Sequence, residues 1–192
     1  MFSDSNADTN SPDQILAATR HWLTRAVIGL NLCPFAKAVY VKQQIHYVVS
    51  QARDFEAVMV ELELALRQLQ DSDPLAIDTT LLIFPHALAD FSDFNDSLHL
   101  ADRLLKSMRL EGLLQIASFH PHYQFADKQA DDIENYTNRA PYPILHLLRE
   151  ASIDRAVQAF PDAADIYEHN EATLRKLGHA GWQAWMAQTG EV

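Results

Sequence analysis

Two histidines follow predicted strands, where they could act as acids or bases. His86 comes after the strand that ends at Phe84, and His120 comes directly after the strand that ends at Phe119. In open parallel sheets, ligands bind beyond the carboxyl ends of the strands, so both imidazoles would lie on one rim. Histidine titrates near neutral pH, and we expect His120 to be a catalytic acid or base. The alternative is a partly buried histidine that ends its strand through a backbone hydrogen bond.

The segment Asn138–Pro143 combines an amide, a guanidinium and a phenol just before a predicted helix. Pro143 suits the first turn of that helix, whose free N–H groups favour anions. Arg139 adds a bidentate donor for a carboxylate or phosphate. We therefore expect Asn138, Arg139 and Tyr142 to bind the substrate. The alternative is an ion pair that positions the loop, formed by Arg139 with Asp131, Asp132 or Glu134.

His146 and Arg149 are further candidates for binding the substrate. Their spacing places them one turn apart on a helix predicted from Pro143 to Glu150, so both side chains could point to the same pocket. The alternative is that they are ordinary surface residues of that helix.

Cys33, the one cysteine of the chain, has two interpretations. If Pro34 begins a helical turn, Cys33 caps that turn and its thiolate is favoured, which would make it a nucleophile. If Cys33 only follows the first helix, the thiolate is disfavoured and the thiol is a packed neighbour. A single cysteine excludes an intramolecular disulfide and fits a reducing compartment, so we expect a cytoplasmic protein.

A metal or haem site is a further hypothesis. His120, His122 and His146 could supply three nitrogen ligands and Cys33 a sulfur, as in open zinc or iron sites. Because Pro121 separates the first two histidines, both rings reach one metal only if the backbone turns suitably. No spacing matches a specific metal motif, and the phosphate-loop and nucleophile-elbow patterns are absent. No particular cofactor is predicted.

Apolar spacing and capping residues predict strands that alternate with helices. The strands are expected at 45–49, 79–84 and 113–119, and the helices at 54–70 and from Asp90 through Met108, after a first helix that begins at Ser11-Pro12. Connections of this length allow right-handed parallel crossovers. We expect a single α/β domain with a three- to four-stranded sheet built from β-α-β-α-β units. A mixed, ferredoxin-like sheet is the alternative.

The second part of the chain is different in character. The polar stretch from His120 to Tyr142 holds several aromatic residues, which favours a long, ordered and packed loop. A helical C-terminal region should follow, with helices at 143–150, 152–160 and 161–177, the last closed by Gly178. We expect Trp182 and Trp185 to hold the C-terminal residues on the domain.

Length and charge set further limits. The chain has 192 residues and a net charge of −11, with no stripe of basic residues, so we expect no nucleic-acid partner. It has no run of about 18 apolar residues, so no membrane span is expected. Residues 1–10 are polar and are interpreted as a disordered tail rather than a signal peptide, which leaves 11–192 as the domain. The oligomeric state is not predicted.

Five motifs give the sequence a resemblance to a known family. They are Gly29–Ala36, Phe119–Pro121, Tyr123–Phe125, Asn138–Pro143 and Leu145–Glu150. Over about Thr19 to Gly178, the chain resembles a bacterial domain-of-unknown-function family of similar length. The resemblance implies no activity and no requirement for histidine at position 122. It implies that six residues belong together: Cys33, His120, Asn138, Arg139, Tyr142 and His146.

The leading hypothesis is an enzyme that acts on a small anionic metabolite. Arg139 and Arg149 would hold the anion, His120 would be the acid or base, and Cys33 would be a nucleophile or a packed neighbour. One alternative is a non-catalytic domain that binds a ligand or partner, and another is a metal or haem protein that uses His120 and His146.

Overall fold

A four-stranded mixed sheet forms the centre of the computed structural model, which describes residues 11–159 and 165–189. The strands are β1 (Ile45–Val49), β2 (Thr79–Ile83), β3 (Leu114–Phe119) and β4 (Ile144–Arg149). Their order across the sheet is β1-β2-β4-β3. β1 and β2 are parallel, whereas β4 is antiparallel to both β2 and β3. The first three strands therefore share one direction, and the predicted α/β domain with three to four strands is confirmed in its mixed form.

Helices cover both faces of the sheet. They are α1 (Pro12–Trp22), α2 (Ala36–Val41), α3 (Phe55–Asp71), α4 (Phe91–Ser107), α5 (Glu150–Ala159) and α6 (Ile166–Met186). A π-helical segment, Leu23–Ile28, continues α1, and a 3₁₀ helix occupies Ile133–Thr137. No helix among the described residues combines the length and apolar character that crossing a membrane requires.

Three predicted helix starts carry side-chain caps, and the caps at Ser11 and Asp90 are the ones that the sequence predicts. Ser11 Oγ accepts from the Gln14 amide at 3.3 Å, and Gln14 Oε1 accepts from the Ser11 amide at 2.8 Å, so the capping box is present. Asp54 and Asp90 cap α3 and α4 through their carboxylates. A side-chain cap satisfies N–H groups that have no partner within the helix, which fixes these starts.

Two apolar layers cover the two faces of the sheet. α3 and α4 pack on the face that carries Leu82, Leu145 and Leu147, which we call the α3/α4 face. α1 and the π-helical segment pack on the opposite face, the α1 face, which carries Ile83 and Ile144. Side chains alternate between faces along a strand, so each strand contributes to both layers.

The helix predicted from Pro143 to Glu150 is wrong, because Ile144–Arg149 forms strand β4. Ile144 and Leu145 lie in the cores on opposite faces of the sheet, and a short apolar run buried on both sides fits either a strand or a buried helix. Arg149 ends the strand and α5 begins at the next residue. His146 and Arg149 therefore project to opposite faces rather than along one helical stripe.

The C-terminal region is helical, as predicted. α5 covers most of the helix expected at 152–160, although Phe160, and with it the expected start at Pro161, lies outside the described residues. Gly178, at φ 64°, interrupts the helical backbone of α6 at the predicted stop, but the helix resumes to Met186. The expected tail at 1–10 also lies outside the described residues.

The resumed part of α6 packs against the π-helical segment. The Trp185 indole lies over the Arg25 guanidinium at 4.2 Å, and Trp185 Nε1 donates to the Arg25 carbonyl at 2.7 Å. Trp182 lies edge-on against Tyr136, with ring centroids 4.9 Å apart. Both tryptophans hold the C-terminal residues on the domain, as the sequence predicts.

Gly29 provides a test of this contact. A Cβ there would lie 2.5 Å from the Arg25 carbonyl oxygen and 3.1 Å from the Trp185 ring, so both would have to shift. We expect Gly29→Ala to lower the free energy of unfolding by about 2 kcal/mol in urea denaturation, as overpacking does. Gly181→Ala is the control, since its Cβ would meet only the flexible Leu177 side chain. Equal losses in the two variants would contradict this account.

Candidate functional site

The carboxyl ends of β1, β2 and β3 lie along one edge of the sheet, which we call the rim. His86 and His120 leave the sheet there, so the predicted placement of both histidines is correct. β4 starts at the same edge because it is antiparallel, which brings Asn138–Pro143 to the rim as well. The His120 amide donates to the Asn138 carbonyl at 3.1 Å, and the Phe84 amide donates to the Pro143 carbonyl at 2.9 Å.

His120 is fully buried on the α3/α4 face of the rim. Its ring lies against Phe91 and Phe94, with centroids 5.3 and 5.0 Å away. Nε2 is 3.0 Å from the Leu88 carbonyl oxygen, and Nδ1 accepts from the His122 amide at 3.0 Å. A carbonyl can only accept, so Nε2 carries the hydrogen and the ring is the neutral tautomer.

Burial lowers the pKa of His120, and the hydrogen bond to the Leu88 carbonyl works in the opposite direction. Loss of solvation disfavours the charged ring, so the neutral form dominates at neutral pH. Both ring nitrogens already have protein partners, which matches the backbone-bonded alternative for this residue.

Asn138 and Arg139 bind main-chain groups. Asn138 Nδ2 donates to the Ser118 carbonyl at 3.2 Å. Arg139 Nε donates to the Tyr123 carbonyl at 3.2 Å, Nη2 donates to the Ala130 carbonyl, and the guanidinium lies 4.6 Å from the centre of the Tyr136 ring. Arg139 thus positions the loop, as the alternative proposed, although through carbonyls rather than the carboxylates expected.

The loop between β3 and β4 is ordered, as predicted. Asn135 is fully buried, and its Oδ1 accepts from the Phe125 amide at 3.0 Å while its Nδ2 donates to the Gln129 carbonyl at 2.7 Å. Two ion pairs join the loop to α6: Lys128 with Glu171 at 2.7 Å and Glu134 with Arg175 at 2.6 Å. The loop is therefore held by its own polar side chains and by α6.

Cys33, Tyr142 and His146 lie on the α1 face, whereas the His120 ring lies on the other side of the sheet. Phe119 faces the α1 side, where it contacts Trp22 at 5.1 Å and His146 at 6.1 Å between ring centroids. The structure thus divides the six residues that the family resemblance grouped.

The Cys33 thiol is partly buried in the α1-face core. Burial raises its pKa, while hydrogen bonds from the backbone amides of Phe35 and Ala36 lower it by less. The N-cap residue of α2 is Phe35, with no side-chain cap hydrogen bond, so Cys33 is not the helix cap that was one of its two interpretations. Because burial is the larger effect, the thiol form is favoured at neutral pH.

His146 is held by a hydroxyl. Its Nε2 lies 2.7 Å from Thr79 Oγ1, and that hydroxyl donates to the Leu147 carbonyl at 2.6 Å. The imidazole is therefore the donor to the hydroxyl oxygen. Burial lowers the pKa of His146 to about 4, so this ring is neutral near pH 7.

Arg149 lies at the edge of the sheet opposite to the rim. Its guanidinium donates to the carbonyls of Leu69 at 2.5 Å, Ser72 at 2.8 Å and Ile77 at 3.2 Å. The last carbonyls of a helix lack partners within it, so Arg149 caps the carboxyl end of α3 and holds the turn that leads to β2.

In the described part of the chain, no three His, Cys, Asp or Glu side chains are grouped so that they could hold a metal ion. The rings of His120 and His122 are neighbours, 5.9 Å apart. His146 and Cys33 are on the α1 face, so the predicted ligands are not brought together.

A cleft at the rim contains residues that sequence reasoning did not select. It has a volume of about 450 Å³ and lies between the first turns of α3 and α4 and the loop after β2. Three carboxylates and one guanidinium line it: Asp54, Asp93, Asp96 and Arg53. We call it the rim cleft. A signal for it was present in the sequence, since Asp54 caps α3 and Asp93 stands in the first turn of α4, and both helices follow parallel strands.

Apolar groups form most of the rest of the rim cleft. Phe55 and Leu100 are 40% and 39% exposed, which leaves part of each side chain available to a ligand. Leu88 completes the wall next to His120.

A family model described as "Protein of unknown function (DUF1415)" matches residues 14–184. The chain belongs to this family. No curated protein and no solved structure matches it. The family match covers every strand of the sheet and both helices that frame the rim cleft, and it agrees with the resemblance drawn from the motifs.

Arg149 of this DUF1415 protein tests the capping role. Replacing it with methionine keeps the aliphatic stem but leaves the carbonyls at the end of α3 without their donor. We expect Arg149→Met to lower the free energy of unfolding by about 2 kcal/mol in urea denaturation. Arg67→Met is the control. Arg67 lies on α3 itself, and its exposed ion pair with Glu63 contributes roughly 0.5 kcal/mol or less to stability. A loss no larger than that of the control would rule out the cap.

His146 makes stability depend on pH. Its folded pKa, about 4, is below the ordinary value of 6.5, so the unfolded state takes up the proton first as the pH falls. Stability should therefore decrease between pH 6.5 and 4, by at most about 3 kcal/mol. Urea titrations at several pH values should show a smaller decrease for His146→Gln than for His99→Gln, whose side chain is exposed on α4. Identical pH profiles in the two variants would contradict the prediction.

Proposed function

We propose that this protein binds a small, positively charged organic molecule in the rim cleft. The observation that carries the proposal is the lining of that cleft, which includes three carboxylates and one guanidinium. The cleft lies beyond the carboxyl ends of the parallel strands β1 and β2, where open sheets of this kind hold their ligands. The net charge of −11 adds a long-range attraction for cations.

Two of the three carboxylates are the groups we assign to the ligand. Asp54 already accepts a hydrogen bond from the Ala57 amide at 2.9 Å, as the cap of α3. Asp93 and Asp96 extend from the first and second turns of α4. An ammonium or guanidinium group between them would gain charge-assisted hydrogen bonds.

The apolar part of the cleft favours a ligand with a hydrocarbon portion. Phe55 offers a half-exposed ring, which attracts cations at its face and packs against apolar groups at its edge. Leu88 and Leu100 add aliphatic surface. An amine with a small aromatic or aliphatic group fits this combination.

Binding without catalysis is the better supported of the two classes. The imidazole of His120 is neutral and bonded at both nitrogens, and Arg139 is bonded to main-chain carbonyls. These were the groups expected to act on a metabolite, and their contacts support a role in holding the rim.

Isothermal titration tests the proposal with amines and carboxylates of matched shape. We expect phenethylamine and butylamine to bind, and phenylpropionate and butyrate not to bind at the rim cleft. The double variant Asp93→Asn/Asp96→Asn should weaken amine binding by roughly tenfold or more, since each removed charge is worth about 1 kcal/mol or more at such distances. Asp102→Asn is the control, an exposed carboxylate further along the same helix. Absence of amine binding, or equal effects of both variants, would refute the proposal.

A second cavity is the better candidate for the small anionic ligand that the sequence analysis expected. It measures about 220 Å³, lies at the edge opposite to the rim, and is lined by Gln70, Arg149, Ser152 and Arg155 among others. The Arg149 guanidinium is engaged with the carbonyls at the end of α3, so the exposed guanidinium of Arg155 is the group that would attract a carboxylate or phosphate. Binding of butyrate or inorganic phosphate that is lost in Arg155→Gln would support this candidate, and the same titrations would detect it.

A further inference from the structure

Leu88 forms part of the rim cleft in a backbone conformation that leucine rarely adopts. Its φ is 58°, in the left-handed region, where a side chain with a Cβ is strained by roughly 1–2 kcal/mol. Such a residue stays in this conformation only when its surroundings hold it there. The His120 imidazole holds Leu88 in this conformation, because the Leu88 carbonyl accepts a hydrogen bond from His120 Nε2 at 3.0 Å.

His120 reaches this carbonyl from behind the wall of the cleft. The ring is fixed at both ends, by Leu88 at Nε2 and by the His122 amide at Nδ1, and on its sides by Phe91 and Phe94. Only the neutral tautomer with hydrogen on Nε2 satisfies both partners. The loop that carries Leu88 is thus tied to β3 through one imidazole.

We propose that His120 is a positioning residue that holds the wall of the rim cleft through Leu88, and that its protonation displaces this wall and weakens ligand binding. The inference rests on the proposed function, because the ligand is the one assigned to that cleft. His120 touches no ligand in this role.

Protonation breaks the arrangement for a geometric reason. The imidazolium has a hydrogen on each nitrogen, so Nδ1 can no longer accept from the His122 amide 3.0 Å away, and two donors then face each other. The charged groups near the ring are the His122 imidazole, which opposes the added charge, and the Asp90 carboxylate, which favours it. Phe91 and Phe94 offer only apolar surface. Protonation leaves the Nε2 hydrogen bond to the Leu88 carbonyl in place, so as the ring moves away from the His122 amide it draws Leu88 with it. Lower pH therefore displaces the wall, and higher pH holds it.

The pH profile of phenethylamine binding tests the proposal. The amine keeps its charge from pH 5.5 to 7.5, and we expect its affinity for the wild type to fall several-fold as the pH drops over that range. His120→Gln retains an amide donor that can reach the Leu88 carbonyl but cannot titrate. It should bind at pH 7.5 within about threefold of the wild type and show a flatter profile. A profile as steep as that of the wild type would overturn the proposal.

His122→Gln is the matched control. It keeps the backbone amide that contacts His120 Nδ1 but removes the neighbouring imidazole that opposes protonation of His120. The affinity of this variant should therefore still fall as the pH drops, and the fall should begin at a higher pH than in the wild type. If His122→Gln flattens the profile as much as His120→Gln does, the titrating group is the wrong one and the proposal fails.

A double-mutant cycle measured by urea denaturation, in the absence of ligand, separates this inference from the proposed function. Leu88→Gly removes the strain, whereas in the wild type the loss of the His120 bond lets Leu88 relax and so recovers part of that strain. The further change His120→Ala should therefore shift the urea midpoint more in the Leu88→Gly background than in the wild type. Shifts that simply add would overturn the role of His120, whether or not amines bind. A clear coupling together with no amine binding in any variant would refute the rim-cleft ligand and with it the pH control, while leaving the contact itself established.

Discussion

The antiparallel insertion of β4 between β2 and β3 is the constraint on which the rest of the structure depends. β2 and β3 do not pair, so the sheet is continuous only because β4 hydrogen-bonds to both. An antiparallel central strand must be entered from the edge where its neighbours end. The chain therefore leaves β3 at the rim, makes its long loop, and returns to the rim before Ile144.

That return path explains why so many polar side chains of the motif segments bind the main chain. A loop that begins and ends at the same edge has many N–H and C=O groups without strand partners, and buried ones must be satisfied. Asn135, Asn138 and Arg139 supply the missing partners. Residues that resemble a catalytic set in the sequence thus have a common structural task, which is to give an irregular segment one conformation.

The sequence predicts the elements whose signals are local. Capping at Ser11 and Asp90 marks two helix starts, and β-branched runs mark β1 and β2. β4 was missed because Ile144–Arg149 is apolar on both faces, so its period does not distinguish a strand from a buried helix. That one error also misplaced His146 and Arg149, whose separation by the sheet follows from strand alternation alone.

The rim cleft was not predicted because each of its carboxylates has a sufficient local explanation. Asp54 and Asp93 are typical of helix first turns, where the positive end of the helix dipole stabilises a negative charge. Only the tertiary structure shows that two such turns face each other across one cleft. The positive ends of the two helix dipoles also offset part of the repulsion between the carboxylates that line the cleft. The proposed cation would relieve the remaining repulsion and add its own attraction, at carboxylates whose positions the two helix starts already fix.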